Sequence, residues 1–253
     1  MFTRAILRTP CRNFVHGLSM AELGIPDYEK ALRQHEAYVN ALRSCGVEPT
    51  VLAPAEDYPD SVFVEDTAVL SERVAVIARP GASSRRGEES VVAGALSMFY
   101  DRLETIVAPG TVDGGDVLRA GKRFFIGISA RTNENGGKQL AAILIKNGYE
   151  AILVPLRHVL HLKTGIAYLE NNFLLAAGEF VGHSQLEQFR IISIANEEAY
   201  AANALWVNGR VLIAAGFPET KKSIEKSGYE TIAVDVSEFR KLDGGLSCLS
   251  LRF

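Results

Sequence analysis

The chain has 253 residues, 47 % hydrophobic and 23 % charged, the balance of a folded protein rather than a disordered one. A formal net charge of −3 offers neither a basic field for nucleic acid nor a polybasic patch for a membrane surface. The three cysteines, an odd number, argue against a disulfide framework and for a reducing, cytoplasmic setting, and no apolar run reaches the ~20 residues of a bilayer span.

The first predicted element is a strand over Phe2–Pro10. Arg4, Arg8 and Arg12 precede any acidic residue, as in a transit peptide, but the repeat described below needs this segment as a strand. Tyr28 to Cys45 has helical spacing, a glycine follows its last turn, and Val51-Leu-Ala-Pro reads as a short strand. Glu65 to Pro80 reads as strand, polar turn, strand. Asp113 to Ile128, Thr164 to Gly178 and Ala202 to Gly216 read the same way, with hairpin signals such as Val-Asn-Gly-Arg between their strands. Helical segments at Gly137 to Glu150 and Glu219 to Glu230 lead into the apolar strands Ala151-Ile-Leu-Val-Pro and Thr231-Ile-Ala-Val-Asp. Gly245 to Phe253 is the last expected strand.

These elements make a repeated module, strand–strand–helix–strand. Four copies read directly, and a fifth is split between the termini, with Gly245–Phe253 as its first strand and Phe2–Pro10 as its second. Pairing the two closes a five-fold α/β ring, which removes exposed sheet edges. The expectation is one domain over residues 1–253.

At or just before each module's first strand stands a chemically notable group: Glu65 and Asp66, Asp113 and Asp116, His161, Asn203, and Cys248. Equivalent positions in a ring converge on its axis, so an acid, a histidine and a cysteine are expected to face a central funnel. Cys11 and Cys45 read as small buried apolar residues. His35, in a polar helical stretch, and His183, in a loop, read as solvated, while His158 and His161 read as flanking one strand. Glu65 and Asp66 interrupt an apolar run, and burying them without a cationic partner is expensive, which points to a cationic ligand. There is no Cys-x-x-Cys or His-x-x-x-His for zinc, no phosphate loop, and no Gly-x-Ser-x-Gly elbow.

The motifs Phe63-Val-Glu-Asp, Thr111-Val-Asp-Gly-Gly-Asp, His161-Leu-Lys-Thr and Gly244-Gly-Leu-Ser-Cys, in this order, resemble the dimethylarginine dimethylaminohydrolases. These belong to the guanidino-group-modifying α/β propellers, and the resemblance runs essentially from Met1 to Phe253. It implies a five-bladed pseudo-symmetric propeller and hydrolysis of Nω-methylated arginine to citrulline through a covalent cysteine adduct. No metal or organic cofactor is implied, and the partner is a small-molecule substrate. It further implies Cys248 as nucleophile, His161 as general acid and base, and Asp113 as the acid beside that histidine. Glu65 and Asp66 match positions near the guanidinium, and Phe63 and Ser247 belong to the same substrate-binding set. Arg85 and Arg131 match a clamp on the α-carboxylate, and Asp60 with the backbone oxygens of Leu18 and Leu242 matches the α-ammonium site. Leu18 falls in a segment matching a mobile lid, with Gly17 as its hinge. Arginine deiminases typically carry Asp two residues after the histidine, where this chain has Lys163, and agmatine lacks a carboxylate to clamp. An arginine deiminase or a citrulline-hydrolysing relative on the same fold is the alternative, and a homodimer is compatible with either.

Overall fold

In the computed structural model, which describes residues 1–253, the chain forms five three-stranded sheets. The sheets are β3(Ala68–Leu70)–β4(Ala75–Ile77)–β5(Leu103–Thr105), β6(Val117–Ala120)–β7(Arg123–Ile128)–β8(Glu150–Pro155) and β9(Ile166–Tyr168)–β10(Phe173–Ala176)–β11(Arg190–Ser193), then β12(Leu205–Val207)–β13(Arg210–Ala214)–β14(Glu230–Val234) and β15(Leu251–Arg252)–β1(Arg4–Arg8)–β2(Glu48–Leu52). In every sheet the middle strand pairs antiparallel with the first and parallel with the third. In four of the sheets a hairpin fixes the first pairing, and in all five the parallel strand returns by a crossover. The split module closes as expected, with Ala5 opposite Arg252 and Ile6 opposite Leu251. The result is a five-module pseudo-symmetric α/β propeller.

The crossovers are α1(Tyr28–Ser44) between β1 and β2, α2(Glu89–Leu96) between β4 and β5, α3(Glu134–Lys146) between β7 and β8, and α5(Pro218–Lys226) between β13 and β14. Asp27 caps α1 by accepting the Lys30 N–H at 2.8 Å, and Asn133 caps α3 through the Gly136 N–H at 2.8 Å. Gly46, Gly148 and Gly228 follow the three long helices with φ of 79°, 83° and 94°, the left-handed caps expected of them. The module β9–β11 departs from the repeat. It has 3-10 turns at Gly178–Phe180 and Ser184–Leu186 in place of a helix, and Phe180, Leu186 and Phe189 bury the apolar cover that a helix supplies elsewhere.

Two further expectations are corrected. His35 is buried in α1, 5 % exposed, and loss of solvent pushes its pKa down to about 4, so it is a neutral core residue and not a solvated one. No strand separates His158 from His161; the segment is a loop whose His158 N–H donates to Glu179 at 2.9 Å. The expected axial strands are also shorter than their apolar runs. Each begins after a compact turn, because residues such as Val64–Thr67 are all buried and do not alternate as strand residues do.

Those turns position the site. A 3-10 turn at Val64–Thr67 precedes β3, another at Gly114–Asp116 precedes β6, the short helix α4(Leu162–Gly165) precedes β9, a 3-10 stretch over Asn196–Ala202, capped by Asn203, precedes β12, and a fourth 3-10 segment, Ser247–Leu249, precedes β15. The five polar positions read from the sequence therefore lie at one level of the ring.

Candidate active site

Two cavities open on the ring axis, and they share no lining residue. The front one, about 150 Å³, is lined by Asp66, His161, Cys248, Asp60, Phe63 and Arg131, together with Arg85 and the loop residues Leu18, Ser19 and Met20. The rear one is about 600 Å³.

At the front, His161 Nε2 lies 3.1 Å from Asp113 Oδ2, while Asp113 Oδ1 accepts the Gly81 N–H at 2.9 Å. Asp113 is fully buried, so its orientation is locked from both sides. Asp66 accepts the Gly115 N–H at 2.9 Å and an Arg85 guanidinium N–H at 2.5 Å. Gly115 is required here by close approach: a Cβ would stand 2.8 Å from His161 Nδ1 and 2.9 Å from Asp66 Oδ1. Asp116, also fully buried, ties two parts together. Its Oδ1 accepts the Leu162 N–H at 3.0 Å, beside His161, and its Oδ2 accepts the Ser129 hydroxyl at 2.7 Å. Ser129 in turn accepts the Arg131 N–H at 2.9 Å.

Burial opposes charge on each of these groups, and the neighbours decide the outcome. For His161, loss of solvent is outweighed by Asp66, Asp113 and Asp116, which hold the imidazolium pKa up at about 9. For Asp66, burial is outweighed by Arg85 and His161, which hold it down at about 2. For Asp116 burial prevails and lifts it to about 6. The Cys248 thiol is pushed up to about 12 by burial and by the Glu65 and Asp66 charges, with the Gly245 N–H, 3.4 Å from Sγ, as a small counterweight. These environments favour a cationic histidine, a carboxylate at Asp66 and a protonated thiol.

Asp66, Asp113 and His161 each offer one ligand atom within 4.8 Å of the others. Those carboxylates are already committed, to Arg85 and Gly115 in one case and to Gly81 and His161 in the other, so binding an ion there would break existing pairs.

Other expected residues are placed differently. Glu65 and Ser247 do not line the front; they line the rear cavity, where Glu65 accepts Lys163 Nζ at 2.6 Å, Arg252 at 3.2 Å and the Ser247 hydroxyl at 2.8 Å. The buried acid pair therefore has cationic partners within the chain, and a cationic ligand is not needed to balance it. Of the two expected clamp arginines, Arg131 is one-fifth exposed, with its nearest carboxylate, Asp113, at 4.0 Å. Arg85 is buried and already bound to Asp66, Glu88 and the Phe63 carbonyl. Asp60 and the Leu18 segment lie side by side, Asp60 Oδ1 accepting the Leu18 N–H at 2.9 Å. Gly17, however, has φ −60°, and its smallness is used for space: a Cβ would sit 2.9 Å from both Asp60 Oδ1 and a Leu242 methyl. Ser19 and Met20 are latched to the Lys241 carbonyl and the Asp243 carboxylate, each at 2.6 Å. Glu88, which ends the run Arg79-Pro-Gly-Ala-Ser-Ser-Arg-Arg-Gly-Glu, and Arg252 were given no role from the sequence.

Five converging modules with a cysteine, a histidine and acids in one axial funnel define the α/β propellers that modify guanidino groups. The family model described as N,N dimethylarginine dimethylhydrolase, eukaryotic, matches residues 25–250. The chain is 54 % identical over 254 residues to the N(G),N(G)-dimethylarginine dimethylaminohydrolase of Pseudomonas aeruginosa, covering 100 % of both, and 38 % identical to that of Streptomyces coelicolor, covering 98 % of this chain and 96 % of the other. Among solved structures it matches the P. aeruginosa enzyme, as a cysteine-to-serine mutant complexed with citrulline, with TM-score 0.99 and 100 % coverage of both chains. A histidine-to-glycine dimethylarginine dimethylaminohydrolase adduct with S-methyl-L-thiocitrulline matches equally well, with TM-score 0.99. The chain belongs to the dimethylarginine dimethylaminohydrolase family.

Proposed function

We propose that the chain hydrolyses Nω-methylated arginine, asymmetric dimethylarginine and monomethylarginine, to citrulline and dimethylamine or methylamine. The observation that carries this reading is the convergence of Cys248, His161 and Asp66 on one small front cavity that also contains Arg131 and Asp60. The P. aeruginosa relative, alike over its whole length, is seen with citrulline, and a family member forms an adduct with S-methyl-L-thiocitrulline.

In this reading Arg131 receives the α-carboxylate and Asp60, with the Leu18 and Leu242 carbonyls, the α-ammonium; Phe63 walls the side chain. Asp66 faces the guanidinium. A bound cation offsets the Glu65 and Asp66 charges that keep the thiol protonated, so substrate itself favours the thiolate. Cys248 Sγ attacks the guanidinium carbon, and His161, oriented by Asp113, gives its proton to the departing amine. The C–N bond breaks and an S-alkylthiouronium remains on Cys248. His161, now neutral, takes a proton from water; the hydroxide adds to the same carbon, the C–S bond breaks, and citrulline leaves. No step draws on a metal or organic cofactor. Arg85 acts by holding Asp66 in place, with Glu88 behind it.

The three free cysteines fit a reducing, cytoplasmic setting, and no helix is long and apolar enough to cross a membrane. A homodimer is compatible with this reading and is read directly by sedimentation velocity. The test of the reaction is the amine released. Asymmetric dimethylarginine should give citrulline and dimethylamine in equal amounts, and Cys248→Ser should lose at least ~10⁴-fold in kcat. Ammonia from arginine as the sole product would sink the substrate assignment, and wild-type turnover in Cys248→Ser would sink the mechanism.

A further inference from the structure

The rear cavity is four times the volume of the front one and has no part in the reaction above. Its origin is legible in the repeat. Ala68, Gly114, Ala167 and Ala204, each at or near the head of an axial strand, are small residues lining the cavity, and together they leave the axis open. Its volume, about 600 Å³, lies within the range of roughly 300–1,000 Å³ typical of sites for small organic ligands.

Its floor and walls differ in chemistry. On the floor, one carboxylate, Glu65, is shared by two cations, Lys163 at 2.6 Å and Arg252 at 3.2 Å. The remaining partners of Arg252 are neutral, the Ser250 carbonyl at 2.7 Å and the Ser247 carbonyl at 3.3 Å among them, and its buried Nε has no partner. The floor therefore carries one uncompensated positive charge in a low-dielectric recess. Toward the rim, Arg119 and Glu72 cancel each other as an ion pair, and Glu170 brings the cavity's charged side chains to three of each sign, so the positive excess is local to the floor. The walls between are apolar and aromatic: Phe124 is buried, while Phe2, Tyr168 and Trp206 are half-buried, the Phe2 and Trp206 rings 6.3 Å apart.

We propose that this rear cavity is a second ligand site, taking a small organic anion in which a carboxylate is carried on a flat apolar body. The carboxylate sits against Lys163 and Arg252 and supplies the missing negative charge, and the body lies along Trp206, Tyr168 and Phe2. A cationic amino-acid side chain of the kind the front funnel receives would meet the wrong charge on this floor.

Trp206 is the one tryptophan in the chain and lines this cavity, so its fluorescence reports the site without labelling. The experiment titrates wild-type protein with benzoate, and separately with benzamide, each alone and with saturating L-citrulline. The expected result is a saturable change in Trp206 emission, with benzoate binding about tenfold more tightly than benzamide because only it forms charge-assisted bonds to the floor. Citrulline should leave the benzoate titration unmoved. Arg252→Gln, checked for native melting, should weaken benzoate and leave benzamide unchanged; if that variant does not fold, the wild-type comparison decides alone. No saturable response, equal affinity for the two probes, or displacement of benzoate by citrulline would each overturn the proposal.

Discussion

Glu65 and Asp66 are neighbours in the chain, both carboxylates and both 3 % exposed, yet they serve opposite cavities. The 3-10 turn that carries them rotates successive side chains by about a third of a turn, so one points to the front of the ring and the other to the rear. Around Asp66 the front is crowded with groups whose charge is contested near neutrality, His161 at about 9, Glu88 at about 7 and Asp116 at about 6. Around Glu65 the rear has two cations and one hydroxyl holding a single carboxylate. Their burial is the same but their partners are not: Asp66 is held by Arg85 and the Gly115 N–H, Glu65 by Lys163, Arg252 and Ser247.

The sharpest way to break that contrast is to remove each charge in turn. Asp66→Asn should lower kcat/KM for dimethylarginine by about 10²–10³-fold, the scale of removing one group aimed at developing charge. Glu65→Gln should instead act on stability. It leaves the half-buried Lys163 and Arg252 without a counter-charge, so unfolding in urea should show a loss of about 2 kcal/mol with a much smaller fall in kcat. Equal losses of activity in the two variants would erase the distinction. Next in size, Arg131→Lys should raise KM about tenfold and leave kcat nearly unchanged, because a point charge replaces a planar fork.

The front also carries a pH signature in stability. Folding raises the His161 pKa from 6.5 to about 9, so the folded state favours its protonated form. That contribution is fully present below pH 6.5 and is lost as pH rises through 9, about 3 kcal/mol over the window. His161→Gln should therefore show a flatter stability profile than wild type between pH 6.5 and 9, measured by denaturant unfolding at each pH. A parallel pair of profiles would mean the three acids do not hold the proton.

The ring itself was legible in the sequence because its signals are local: alternation, hairpin turns such as Asn208-Gly209, and glycines closing helices at 46, 148 and 228. The level at which Glu65, Asp113, His161, Asn203 and Cys248 meet was legible because a repeat carries equivalent positions to one axis. The facing of each side chain was not. A strand alternates by two, but these residues sit in 3-10 turns, so their direction depends on turn geometry that apolar patterning does not encode. Ion-pair partners were equally hidden, since Arg252 reaches Glu65 across 187 residues and Lys163 across 98. Arg85 is different: its partners Glu88 and Asp66 are near in sequence, but polar residues in a loop give no sign of pairing with one another. The burial of His35 was missed because polar neighbours along α1 masked the face it shares with Tyr38 and Leu42.

The pairing of Leu251 with Ile6 also has a consequence in time. Each hairpin forms over a short loop and its parallel strand joins after one crossover, whereas this pairing must bring together residues some 245 positions apart. The turn that carries Cys248 leads directly into that last strand. On dilution from denaturant, helical signal should therefore return before turnover does, and the reaction itself becomes a clock for the moment at which the circle shuts.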